Sequence, residues 1–204
     1  SFAKYAAEKY GVSVVAVNIS KEQVNYGIAS CKGLPVEFRL QDYRDINEKF
    51  DRIVALGIIE HVGHKNYKTF MRVMHRNLKE DGLFLLHGIG GNSTIIYTDS
   101  WIHKYIFPGG ELPSIQQLGK AMEGLFVMED WHNFGADYDT TLMAWFANFD
   151  KNWPSLQKKY GDRFYRVWKF YLLSSAGSFR ARKNQLWQVV LSKNGVPGGY
   201  QSIR

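Results

Sequence analysis

Phe50-Asp51-Arg52-Ile53-Val54-Ala55-Leu56-Gly57-Ile58-Ile59-Glu60-His61 is a short apolar, β-branched run that stops on a glycine and then delivers an acid and a histidine. A run of this kind, bounded by a turn residue, reads as a buried strand. Leu83-Phe84-Leu85-Leu86-His87-Gly88-Ile89 repeats the pattern with a histidine near its end, and a helix is predicted between the two, from about Lys65 to Leu78. Asp81-Gly82 is expected to turn the chain between helix and strand. Strand, helix and strand in this order are what a parallel crossover demands. Adjacent strand ends in a parallel sheet lie about 5 Å apart, so Glu60 and His87 are expected to converge.

The alternation extends in both directions. Upstream, Phe2 to Tyr10 reads as a helix, Val12 to Val17 as a strand, Lys21 to Cys31 as a helix capped by Ser20, and Val36 to Leu40 as a strand before the polar loop Asp42-Tyr43-Arg44-Asp45. Downstream, residues 92–125 carry Trp101, Tyr105, Phe107, Pro108-Gly109-Gly110 and Pro113 with only short helical patches, which reads as a lid-like insertion. Val127 to His132 resumes as a strand, Tyr138 to Phe149 and Asp162 to Arg182 read as long helices, and Leu186 to Ser192 closes the chain as an antiparallel strand. The expected fold is α/β: a doubly wound, mostly parallel sheet in one domain over 1–204, with ligands bound outside the strand C-termini.

Composition narrows the setting. The 204 residues are 45% hydrophobic, enough for a substantial core. The single cysteine, Cys31, excludes an intrachain disulfide and suits a reducing compartment. No apolar run approaches the roughly 20 residues needed to span a bilayer. A net charge of +7 favours anionic partners. The densest basic stretch, Lys158 to Lys183, is interleaved with aromatics, which reads first as an amphipathic helix pair and, functionally, as a face for anionic membrane rather than nucleic acid.

The strand ends carry Asn18, Ser20, Asp42, Tyr43, Gly57, Glu60, His61, His87, Ile89, His132 and Tyr138. Singly, each has an ordinary explanation: Asp42 as a turn former, Glu60 as a helix-start residue favoured by the dipole, His87 as a bonded core histidine. Together, an acid and a histidine at neighbouring strand ends point to a site.

Four stretches carry a resemblance: Leu40-Gln41-Asp42-Tyr43-Arg44-Asp45, Gly57-Ile58-Ile59-Glu60-His61-Val62-Gly63, Phe84-Leu85-Leu86-His87-Gly88-Ile89-Gly90 and Tyr105-Ile106-Phe107-Pro108-Gly109-Gly110. With Met128 through Leu142 and Phe179 through Gln188, they resemble the cyclopropane-fatty-acyl-phospholipid synthase family over essentially the whole chain. The resemblance implies a Rossmann-like, S-adenosylmethionine-dependent methyltransferase fold. It also implies methylene transfer from S-adenosylmethionine to the cis double bond of an unsaturated phospholipid acyl chain. An alkene is a weak nucleophile, so donor and double bond must be held in line with water excluded, and the cation formed must be stabilised by groups that do not attack it.

The family pattern implies a bound bicarbonate as the base, held by Glu60, His87, Tyr138 and the backbone at Ile89, with no metal. It places the cofactor's ribose and methionine at Asn18, Ile19 and Gln23 and its adenine at Asp42, Tyr43 and Arg44, with Leu56 and Gly57 flooring the site. The first strand and glycine-rich turn of such enzymes, and a cysteine that relatives supply to the bicarbonate, are expected upstream of Ser1, and Ser175 stands where relatives often have cysteine. The expected setting is cytoplasmic, peripheral to the inner membrane face, with a homodimer as a possible assembly. An N-methyltransferase of the same architecture and a noncatalytic lipid-surface module are the rival readings.

Overall fold

The computed structural model describes residues 2–203, which form two compact units divided between Glu48 and Lys49. In the first unit, helix α1 (Phe2–Tyr10) precedes strand β1 (Val14–Asn18), helix α2 (Lys21–Ser30) and strand β2 (Val36–Leu40). β1 and β2 pair in parallel from Val14↔Val36 to Asn18↔Leu40. The Ser20 hydroxyl accepts the Gln23 N–H and caps α2 as expected. Gly27 lets that helix lie on β2, because a Cβ there would come within 2.3 Å of the Phe38 ring. The strand expected from Val12 begins instead at Val14, whose N–H donates to the Pro35 carbonyl beside β2.

The second unit is built on strands β3 (Phe50–Leu56), β4 (Leu78–Gly91), β5 (Val127–Asn133) and β6 (Asn184–Ser192), in the spatial order β3-β4-β6-β5. β3 and β4 are parallel, whereas β6 is antiparallel to both its neighbours. The mostly parallel sheet with an antiparallel final strand is therefore as expected. Among the described residues β1 and β2 pair with each other, and β3 pairs along one edge, with β4. The turn expected at Asp81-Gly82 lies inside β4, where the register jumps from Phe50↔Leu78 to Arg52↔Leu83 and the intervening residues leave the ladder.

Helices α3 (Ile59–Val62) and α4 (Tyr67–Asn77) join β3 to β4. On α4 the apolar positions Phe70, Met71, Val73 and Met74 are buried at helical spacing, and Phe70 meets Phe84 of β4 with ring centroids 6.2 Å apart. Phe84 is fully buried, worth about 1.5–3 kcal/mol relative to exposure. Within the segment expected to be irregular, α5 (Ser100–Tyr105) is capped by Asp99, and α6 (Ile115–Met122) carries a Ser114/Gln117 capping box. α6 buries Leu118, Ala121 and Met122, so this part of the insertion belongs to the packed body.

The two helices expected after β5 are present as the two arms of α7 (Gly135–Arg180), which folds back at Gly161; the first arm runs on past the expected Phe149 to that break. Gly161 has φ 74° and ψ 161°, a conformation essentially reserved for glycine. The two arms run back along each other: Tyr165 donates to Asp150 at 2.5 Å, and Arg180 grips both Asp139 oxygens at 2.8 and 3.0 Å. Leu142, Leu172, Ala176, Phe179 and Leu186 form the cluster that seats this hairpin on the sheet.

Candidate active site

The site in the second unit grows from the end of β3. Leu56 is in register with His87, and the Gly57 N–H donates to the His87 carbonyl at 2.9 Å, so the turn leaving β3 is fixed beside His87. Gly57 takes φ 62°, which ends the strand and starts the chain toward the single turn carrying Glu60. Glu60 Oε1 accepts the Ile89 N–H at 2.6 Å. Gly88 makes room for this, since a Cβ there would lie 2.6 Å from Ile59 Cγ2 and 3.2 Å from Glu60 Oε1. Gly90 likewise admits the Trp187 ring.

Two polar atoms here are buried without a partner: Glu60 Oε2 and His87 Nδ1. The two side chains therefore do not satisfy each other through these atoms. Leaving a buried donor or acceptor unpaired costs about 1–3 kcal/mol, which marks both atoms as prepared for a third group. Burial pushes the Glu60 carboxyl above its ordinary range, against the lowering effect of the Ile89 N–H, and pulls His87 below the usual histidine value. A neutral imidazole can offer one N–H and a carboxyl can accept or share a proton, so the pair suits a small oxyanion that both accepts and donates hydrogen bonds.

Tyr138 lies in the first arm of α7 and packs, with Ile89, against the hairpin cluster. Its ring meets Phe179 and Trp145 edge-on, at 4.9 and 5.8 Å. Burial raises its phenol above the ordinary value, and the negative charge of Glu60 adds to the rise, so the hydroxyl stays a donor and senses Glu60. Ile89 enters by its N–H, which Glu60 already occupies. The polar groups left over are Glu60 Oε2, His87 Nδ1 and the Tyr138 hydroxyl.

The cofactor residues predicted in the first unit gather at the C-terminal ends of β1 and β2. The Asn18 amide donates to Gln23 Oε1 at 2.7 Å, its oxygen accepts the Ser20 N–H at 2.8 Å, and its carbonyl accepts the Gln41 N–H at 3.1 Å. Ile19 is exposed beside them. Asp42 caps the turn Tyr43–Asp45 through the Arg44 N–H, and its two oxygens take the Arg44 guanidinium at 2.9 and 2.7 Å, which holds its carboxyl below the usual range. Leu56 and Gly57 belong to the second unit and are described above.

Glycines 88 and 90 were not among the predicted site residues, although glycine at every second place of an apolar strand signals close approach. Glu111 was also missed. Its N–H donates to the Glu60 carbonyl at 2.8 Å.

A family model for mycolic acid cyclopropane synthetase matches residues 1–189. The chain belongs to this family. As a cyclopropane synthetase family member, it is 55% identical over 202 residues to cyclopropane-fatty-acyl-phospholipid synthase of Escherichia coli strain K12, covering 99% of this chain and 53% of that protein. The chain thus spans about half the length of this curated relative. Among solved structures, cyclopropane synthase MmaA2 from Mycobacterium tuberculosis superposes with a TM-score of 0.85 at 26% identity, over 92% of this chain and 72% of that one. Mycolic acid cyclopropane synthase CmaA1, complexed with SAH and CTAB, gives 0.84 at 29% identity over 93% and 73%. The fold is that of S-adenosylmethionine-dependent methyltransferases.

Proposed function

We propose that the chain is catalytic-domain sequence of an enzyme that transfers a methylene from S-adenosylmethionine to the cis double bond of an unsaturated phospholipid acyl chain, forming a cyclopropane. The observation that carries this reading is the pair of buried, unpartnered atoms Glu60 Oε2 and His87 Nδ1 in a site whose third polar group is Tyr138. When bound, S-adenosylmethionine supplies the methyl group and bicarbonate supplies the proton acceptor that lets the ring close.

The chain's own residues do the rest. His87 Nδ1–H and the Tyr138 hydroxyl donate to the anion, and Glu60 Oε2 takes its hydroxyl. In the first unit, Asn18, Ile19 and Gln23 would hold the ribose and methionine, and Asp42, Tyr43 and Arg44 the adenine. Tyr138, Trp145 and Phe179 present aromatic faces and edges that exclude water and tolerate a positive charge without attacking it.

The acyl chain reaches this site between the insertion and the α7 hairpin. Trp101 meets Phe170 at 4.5 Å, Phe107 meets Tyr171 at 5.9 Å, and Phe107 also touches His61 of the Glu60 turn at 6.0 Å. Lys104 and Lys169 lie over the neighbouring Tyr105 and Phe146 rings at 5.2 and 5.6 Å, cations placed to meet anionic headgroups at a bilayer face. No helix among the described residues is long and apolar enough to cross a membrane.

The test is turnover by the full-length polypeptide on vesicles of unsaturated phospholipid with S-adenosylmethionine. A mass gain of one methylene per converted acyl chain, lost in Glu60→Gln, is the expected result. Methylation of amines with untouched vesicles would transfer the assignment to an N-methyltransferase, and vesicle binding with no turnover of either would leave a lipid-surface module.

A further inference from the structure

Glu60 is held from two sides. On the strand side its carboxylate takes the Ile89 N–H at 2.6 Å. On the other side its backbone carbonyl takes the N–H of Glu111, distant in sequence and located in the insertion, at 2.8 Å. Glu111 is itself clamped. Its Oε2 accepts the His64 N–H at 2.9 Å and lies 2.7 Å from His64 Nδ1, while its carbonyl accepts the Tyr67 hydroxyl at 3.4 Å. The neighbouring Gly110 carbonyl accepts the Thr98 hydroxyl.

The local geometry is built for this clamp. Gly63 turns the chain at φ 78°, so the residue after it points its N–H back toward the insertion, and Gly109 at φ 74° folds the Pro-Gly-Gly segment so that the next two residues reach the turn. A carboxylate that accepts a backbone N–H and an imidazole N–H at once makes charge-assisted bonds, stronger than neutral ones. Burial works against ionising Glu111, but the two His64 bonds outweigh it and hold its carboxyl below the usual range.

We infer that Glu111 is a positioning residue: its clamp on His64 fixes the insertion against the Glu60 turn and thereby aims the free oxygen of Glu60. Glu111 touches none of the reacting groups. This rests on the reading of Glu60 as a holder of the anion. Removing the clamp leaves the backbone bond from the Glu111 N–H to the Glu60 carbonyl without its side-chain anchor on His64, and a displacement on the order of 1 Å in such a group costs as much as about a hundredfold in rate.

The experiment compares Glu111→Ala, Glu111→Gln, His64→Ala and Glu60→Gln in the full-length polypeptide, with steady-state kinetics on unsaturated vesicles and thermal melts. Glu111→Ala is expected to lower kcat about tenfold or more while KM for S-adenosylmethionine stays unchanged. Glu111→Gln, whose amide oxygen still accepts the His64 N–H, recovers most of that loss. His64→Ala, which keeps the backbone N–H but loses the ring bond, shows a smaller drop, and it carries the test if Glu111→Ala does not fold. A wild-type kcat in both Glu111→Ala and His64→Ala, or a loss that appears equally in KM for S-adenosylmethionine, overturns the inference. If Glu60→Gln is inactive while Glu111→Ala is wild type, only the role of Glu111 falls. If Glu60→Gln is itself wild type, the reading of the site falls with it.

Discussion

Glu60 presents one carboxylate oxygen to the Ile89 N–H at 2.6 Å and leaves the other buried and unpartnered. Burial raises its folded-state value above the ordinary 4.5. The unfolded chain therefore ionises first as pH rises, and the stability present below about 4.5 is lost as pH climbs through the folded value. Glu60→Gln removes this term. Its melting temperature, relative to the natural protein, is expected to be higher at neutral pH, with the difference shrinking toward pH 4. A difference that grows on acidification would contradict a burial-dominated carboxyl.

Gly88 is the position where an added methyl does most harm at the site. Its Cβ would press on Ile59 and on the Glu60 carboxylate, so Gly88→Ala is expected to cost about 1–3 kcal/mol by overpacking and to lower turnover. Gly119 on α6 is its counterpart, with open space where a Cβ would stand. Gly119→Ala is expected to stabilise by about 0.4–1 kcal/mol with turnover unchanged. Denaturant titration of both, beside activity, checks the pair.

Tyr138→Phe separates packing from hydrogen bonding. The ring contacts with Phe179 and Trp145 survive the change, so the melting temperature should hardly move. Turnover should fall by about a hundredfold, the usual loss for one preorganised donor. Unchanged turnover would take the hydroxyl out of the anion site.

Gly161→Ala places a side chain in a backbone conformation that L residues avoid, at φ 74° and ψ 161°. A loss of about 1–3 kcal/mol is expected, measurable by denaturant unfolding, although the space around that Cβ is open. A neutral result would mean that the hairpin tip relaxes freely.

The parts of this molecule that were legible in the sequence are those fixed by local chemistry. Apolar, β-branched runs located β2, β3 and the core of β4, and Ser20 announced the start of α2. Glu60, His87 and Tyr138 were visible because a polar residue directly after or within an apolar strand or helix face needs a reason. Glu111 was invisible for the opposite reason: its partners His64, Tyr67 and Glu60 are distant in the chain, and no local pattern encodes the meeting. The two arms of α7 were legible as two helices, but the first runs past Phe149 and past Pro154, which lacks an N–H, to Gly161. The actual break falls at Gly161, where the backbone angle and not the missing donor decides.

The strand order β3-β4-β6-β5 gives the sheet a timetable. β6 bonds β4 on one edge and β5 on the other, yet Asn184–Ser192 is the last of the four strands to leave the ribosome. Until it arrives, β5 has no strand partner among the described residues, and the edge of β4 that β6 bonds stays open. The hairpin cluster waits as well, because Leu186 of β6 is one of its members. During synthesis the open edge of β4 and the ladder groups of β5 therefore wait for β6, which closes sheet and hairpin together.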